Sequence, residues 1–190
     1  MTGQAWYQEL NFVANFVSEL DVGEDKTHVA LITFSTTAVV SFTYRKSFDR
    51  EKLAEYIRGG VGVKFQGDQP GEGQTNIGAG LELLVESLNS EVGKKGYRGE
   101  APVVVIVTDG NPTDSNDKLT KYADILAGQG ADIYAIGVGS SVNKFTLSEI
   151  ASGPGFNNVH SKNRPAPCSC AQVPARSKEA GSATHAELNI

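Results

Sequence analysis

Apolar residues in this chain follow two different spacings. Trp6, Leu10, Val13, Val17 and Leu20 fall at i, i+4, i+7, i+11 and i+14, a single helical stripe that Phe12 and Phe16 widen. Val22-Gly23-Glu24-Asp25 breaks that helix, and His28 to Phe34 reads as a buried strand. After the polar turn Ser35-Thr36-Thr37, Val40, Phe42 and Tyr44 alternate with Ser41 and Thr43. Two strands joined so briefly must be antiparallel. Asp49 is placed to cap a short helix carrying Leu53, Tyr56 and Ile57, which Gly59-Gly60 stops. Gly59 to Gly73 is glycine-rich and irregular, a loop of a length that compact domains usually reserve for function. Thr75 or Asn76 then caps a helix with the stripe Ile77, Leu81, Leu84 and Leu88.

The strongest signal follows a surface connection over residues 93–99. Val103 to Val107 are five consecutive β-branched apolar residues with no polar face, so this strand is covered on both sides, as central strands of parallel sheets are. It runs into Thr108-Asp109-Gly110, which puts a carboxylate at the C-terminal end of a buried strand, the edge where open α/β sheets bind ligands. A polar loop, Asn111 to Asn116, leads to a helix with Leu119, Tyr122 and Leu126 inward, closed by Gly128-Gln129-Gly130. Asp132 to Gly139 is the next strand. Phe145, Leu147 and Ile150 mark a short helix, and Asn158-Val159-His160 begins a last strand.

Strands alternating with glycine-closed helices predict a three-layer, Rossmann-like, doubly wound α/β fold. Its sheet is mostly parallel with right-handed crossovers, and one antiparallel strand near residues 38–44 lies at an edge. The chain divides into a folded unit over residues 1–161 and a disordered Pro/Ala/Ser-rich tail over residues 162–190, where apolar residues almost vanish before Leu188.

Composition narrows the function classes. At 190 residues, 39% hydrophobic and 21% charged, the chain suits one domain with a full core. A formal net charge of −5 argues against nucleic acid as a partner. No apolar run approaches the roughly 20 residues that cross a bilayer. Met1 to Trp6 shows neither the basic patch nor the apolar stretch of a signal peptide. Cys168 and Cys170 are too few for a disulfide framework or a four-ligand zinc site, and they leave the redox compartment open. His28, His160 and His185 are too scattered to nominate a catalytic base.

Plainer readings stand beside the sharper ones. Asp109 could simply cap the turn that follows its strand, and Thr75 could be only a helix cap. Gly73 to Gly80 has the spacing of a phosphate loop, yet Gly78 is followed by Ala79-Gly80 rather than Lys-Ser/Thr. Asp114 to Asp117 lacks the spaced ligands and terminal Glu of a calcium loop and reads as a polar turn.

Five features in order make the chain resemble the von Willebrand factor type A (VWA) domain. They are the helix from Trp6, the hairpin Val29–Tyr44 with its Phe34-Ser35 step, and Gly73-Gln74-Thr75-Asn76-Ile77-Gly78-Ala79-Gly80-Leu81. Val105-Ile106-Val107-Thr108-Asp109-Gly110 and Ala135-Ile136-Gly137-Val138-Gly139 complete the set. The resemblance covers about Ala5 to His160. It implies a non-enzymatic module for protein–protein or cell-matrix adhesion, acting through a metal-ion-dependent adhesion site (MIDAS). In that site a divalent cation is held by an Asp-x-Ser-x-Ser loop, a threonine that maps to Thr75 and an aspartate that maps to Asp109. The cation would be Mg²⁺, or Mn²⁺ or Ca²⁺, and the partner a protein or extracellular-matrix ligand that offers an acidic side chain to the metal.

The Asp-x-Ser-x-Ser segment and the strand that should carry it are absent, as is the family's final helix. The chain is therefore expected to be an N-terminally truncated version, with metal binding weak or absent because Thr75 and Asp109 supply only two oxygens. Roughly five buried aliphatic side chains at about 1.5–3 kcal/mol each are missing with the strand. That rivals the net stability of about 5–15 kcal/mol of whole domains, so the fold needs another strand to fill the gap. Two alternatives remain open: a truncated VWA fragment that binds neither metal nor ligand, and a Mg-dependent α/β enzyme using Asp109. The enzyme reading lacks a lysine or second carboxylate at another strand end. The compartment stays open, extracellular or cell-surface location being what the resemblance implies.

Overall fold

The computed structural model describes residues 3–59, 73–90, 96–108, 111–138, 143–151, 159–162 and 187–189. Helix α1 (Gly3–Ser18) leads into the hairpin β1 (Val29–Phe34) and β2 (Ala38–Phe42), then α2 (Arg50–Arg58) and α3 (Ile77–Asn89). Strand β3 (Pro102–Thr108), helix α4 (Asn116–Gly128), strand β4 (Asp132–Val138), helix α5 (Lys144–Ile150) and strand β5 (Val159–Lys162) follow, and β6 (Glu187–Asn189) comes last. The six strands form one sheet in the order β2-β1-β6-β3-β4-β5, parallel except for the β1–β2 pair at the edge.

Each face of the sheet is covered by the helices whose stripes the sequence displays. Trp6, Leu10, Val13 and Val17 of α1 and Leu53 and Ile57 of α2 bury Val29, Leu31 and Phe42 on one face. On the other, Ile77, Leu81 and Leu84 of α3, Leu119 and Leu126 of α4, and Leu147 and Ile150 of α5 enclose Val104, Ile106, Ile133 and Ala135. Val105 turns to Phe16 on the first face, so the continuous apolar run of β3 is explained by burial on both sides.

Local chemistry sets the helix ends. The Asp49 side chain accepts from the backbone N–H groups of Glu51 and Lys52, at 3.1 and 3.2 Å, and opens α2 as expected. Those bonds, with Lys52 first, hold the Asp49 carboxyl below its ordinary range. The chain leaves α4 through Gly130 at φ 87°, a left-handed conformation that favours glycine.

Two described stretches fall within the range 162–190 that the sequence reads as a tail. Lys162 completes β5 in register with Val138, and Glu187–Asn189 form a strand inside the sheet. β6 pairs in parallel with β1 through Val29↔Leu188 and Ala30↔Asn189, and with β3 through Pro102↔Glu187, Val103↔Leu188 and Val104↔Asn189. β1 and β3 are thus joined through a segment of three residues. The reason is backbone accounting: two neighbouring strands with open edges inside a sheet present N–H and C=O groups that demand partners. Residues 163–186, with Cys168 and Cys170, and the glycine-rich stretch 60–72 lie outside the described residues.

Candidate functional site

β1 and β3 run parallel on either side of β6, so their C-terminal ends, Phe34 and Thr108, open on the same edge of the sheet. Three segments meet there: Ser35–Thr37 after β1, Gly73–Asn76 before α3, and Asn111–Ser115 between β3 and α4. They are tied by hydrogen bonds rather than by apolar contact. The Asn76 backbone N–H donates to Ser35 O at 3.0 Å, and its side-chain amide donates to Thr36 O at 2.8 Å. The Gln74 N–H donates to Thr36 Oγ1 at 3.3 Å.

Thr113 joins the second segment to the third. Its Oγ1 accepts from the Thr75 N–H at 3.0 Å and donates to Asn76 Oδ1 at 2.7 Å, while its own N–H donates to Thr75 O at 3.0 Å. Thr75 is therefore gripped through its backbone on both sides, and its half-buried hydroxyl makes no hydrogen bond to a described residue. The helix-cap reading of this stretch is revised. Asn76 holds the N-cap position of α3 but makes no side-chain cap bond. The cap comes from Asp114, whose Oδ2 accepts from the Ala79 N–H at 3.2 Å. Burial raises the Asp114 carboxyl above its ordinary range; its own backbone N–H and those of Gly78 and Ala79, with the charge of Lys118, offset only part of the rise. A Cβ at Gly78 would lie 2.5 Å from Asp114 Oδ2, and one at Gly80 would lie 3.1 Å from Phe34 Cδ1. The glycines of this motif serve close packing of α3 against the loop and β1, not a phosphate.

Thr113 and Asp114 were hidden from sequence reasoning inside a stretch that reads as a polar turn. Their roles depend on partners more than thirty positions away. His28 has no catalytic setting: it is buried at 5% exposure, with Nδ1 2.9 Å from Gly96 O and Nε2 2.8 Å from Glu24 O.

Of the two residues expected to hold a cation, Thr75 stands at the carboxyl edge, lining the same cavity as Ser35 and Thr108. Asp109, which follows Thr108, lies outside the described residues. Among the described residues no group of three or more His, Cys, Asp or Glu is placed to hold a metal ion. The hydroxyl that this edge leaves without a hydrogen bond is that of Thr75, a hard oxygen of the kind Mg²⁺ or Ca²⁺ takes beside carboxylate and water.

Comparison with known proteins agrees with the fold. Residues 1–166 match the von Willebrand factor type A domain family. Human matrilin-1 is 30% identical over 152 residues, which are 78% of this chain and 28% of matrilin-1. Rat von Willebrand factor is 29% identical over 140 residues, 74% of this chain and 29% of that protein. The chain thus spans less than a third of the length of these relatives. Among solved structures, mussel byssus proximal thread matrix protein 1, in a form with zinc in its MIDAS motif, superposes with a TM-score of 0.67 at 25% identity, covering 84% of this chain and 39% of that one. Manganese-loaded TRAP from Plasmodium vivax shares the fold, with a TM-score of 0.63 at 17% identity over 81% of this chain and 59% of its own. With the helices, the edge hairpin and the parallel sheet in the family's order, the chain belongs to the von Willebrand factor type A domain family.

Proposed function

We infer that this chain is a non-enzymatic binding module that engages a protein or matrix ligand with the carboxyl edge of its sheet. The observation that carries this reading is the hydrogen-bonded union of Ser35–Thr37, Gly73–Asn76 and Asn111–Ser115, which holds the Thr75 hydroxyl at a rim and leaves it uncommitted. An ordered polar rim on a rigid scaffold loses little entropy on binding. A Ser, Thr or Asn side chain there accepts or donates as a partner requires.

Thr75 and Asp109 are the residues that would offer oxygens to Mg²⁺, Mn²⁺ or Ca²⁺. Two protein ligands make a weak site, and the recognition proposed here does not depend on it. The zinc and manganese forms of the two structural neighbours make the metal question worth asking of this chain. Calorimetric titration of the chain with Mg²⁺ or Mn²⁺ answers it. Heat with an affinity tighter than millimolar, lost in Asp109→Ala and in Thr75→Val, would establish a working cation site. Absence of heat in the parent chain leaves the loops to bind unaided, and an immobilised panel of acidic and neutral matrix proteins tests that. If Thr75→Val and Thr113→Val leave every interaction unchanged, the rim is not the binding surface.

A further inference from the structure

The loop that grips the rim is itself fastened by one side chain. Thr113 holds Thr75 and Asn76, and the next residue, Asp114, ties the same loop to α3 by accepting from the Ala79 N–H at Oδ2. Space around that oxygen is filled, since a Cβ on Gly78 would lie 2.5 Å from it and 3.1 Å from Lys118 Cγ. The other oxygen, Oδ1, is buried and has no hydrogen-bond partner among the described residues. The charged groups on the elements packed there are Lys118 and the exposed Asp117 near the start of α4, and Glu82 on α3. Lys118 Nζ lies on Glu82 Oε2 at 2.8 Å. A buried carboxylate oxygen without a donor is costly as an anion and much less so as part of a neutral acid. Burial accordingly holds this carboxyl above its ordinary range, against the N–H groups that face it.

We propose that Asp114 is a latch on the rim, worked by its own proton. The neutral acid keeps residues 111–115 against α3. The carboxylate swings Oδ1 towards water, releases the Ala79 N–H and draws Thr113 away from Thr75 and Asn76. The motion stays local, because Ser115 caps α4 through its own bond to the Lys118 N–H at 3.3 Å and leaves that helix in place. The rim is then ordered at acid pH and loosened once the carboxyl has ionised. A charge change at one buried group with two positions for its loop is sufficient for such a switch. Its bearing on ligand binding rests on the rim being the binding surface; its effect on the order of the rim does not.

Amide exchange of the full chain without ligand, corrected for its intrinsic pH dependence, tests this over a series that starts at the ordinary aspartate range of about 4 and rises to about 8. Protection at Thr75 and Ala79 should fall as pH rises, by up to about tenfold for each pH unit that separates titration of the latched and released carboxyl. Asp114→Asn, which keeps an acceptor for Ala79 and cannot ionise, should hold protection constant. Asp114→Ala should leave Ala79 poorly protected at every pH. In the parent chain, the Asp114 carboxyl carbon and the Thr75 amide, followed by NMR, should share one midpoint, and this measurement decides if the variants fail to fold. Constant protection at Thr75, the same fall in Asp114→Asn, or a fall abolished by Asp117→Asn would overturn the latch. If protection titrates as expected while Thr75→Val leaves every interaction unchanged, the latch stands and only the binding reading is lost.

Discussion

Adding one methyl group at Gly78 would place it 2.5 Å from the Asp114 carboxylate, which is itself the cap of the helix that Gly78 helps to begin. Gly78→Ala is therefore expected to destabilise the fold by about 1–3 kcal/mol through overpacking, despite a helix-propensity gain of about 1 kcal/mol. Asp114→Ala alone should cost about 1 kcal/mol through the lost cap. Combined, the two should cost less than their sum, because the second removes what the first collides with. Urea denaturation of the three variants checks this. Asp114 also gives a pH signature. Its carboxyl is raised by burial, so between its ordinary range and the raised value the folded state holds a proton that the unfolded state has released. Stability contributed by the protonated form is present below that window and falls as pH rises through it. In Asp114→Asn that fall should disappear from denaturation midpoints followed across the window. Thr75→Val, by contrast, removes a hydroxyl with no described hydrogen bond and keeps the backbone bonds to Thr113, so stability should stay within about 0.5 kcal/mol of the parent. Any lost binding then reports on the rim itself. Thr75 was visible in the sequence through its motif. Asp114 was not, because a cap supplied from a distant loop leaves no local spacing to read.

Helices and strands with an apolar stripe or run were legible in the sequence, since burial of that face is what makes them form. α1, α3 and β3 need nothing else to be located, and Asp49 marks the start of α2 by chemistry of its own. β6 was not legible. Glu187-Leu188-Asn189 has no period and little β-propensity, and its extended form follows from the open edges of β1 and β3. Between helices, α3 and α4 share a polar tie beside their apolar cluster: Lys118 Nζ lies 2.8 Å from Glu82 Oε2, and Tyr122 donates its hydroxyl hydrogen to Glu82 Oε1. The Lys118 and Tyr122 bonds hold the Glu82 carboxyl below its ordinary range, and the Glu82 bond raises the Tyr122 phenol. A lowered carboxyl contributes stability that is present above its ordinary range and lost as pH falls through it. Glu82→Gln should flatten that part of the acid limb of the stability profile. Both charged side chains are 35% exposed, so the loss at neutral pH should stay under about 1 kcal/mol.

At the scale of the molecule, β6 is what makes one sheet of two. Without its pairings, β2-β1 and β3-β4-β5 would be separate ribbons joined only through the helices that cover them. Leu188→Pro removes a main-chain donor at the residue paired with both Val29 and Val103. It should cost about 1–3 kcal/mol, read as a lower urea midpoint.

The join also sets when the molecule can assemble. The hairpin at Val29 and the strand at Leu188 lie near opposite ends of the sequence, so their contact closes nearly the longest loop the chain contains, at an entropic cost that grows with the logarithm of loop length. Contacts of such separation slow folding. The hairpin with α1 and α2, and the β3–β4 pair with its helices, can each gather from neighbours in sequence, then wait for the far segment to bridge them. Refolding should accordingly show a fast collapse followed by a slower step in which amides of Val29–Ala30 and Pro102–Val104 become protected together. Leu188→Pro should slow or abolish only that second step.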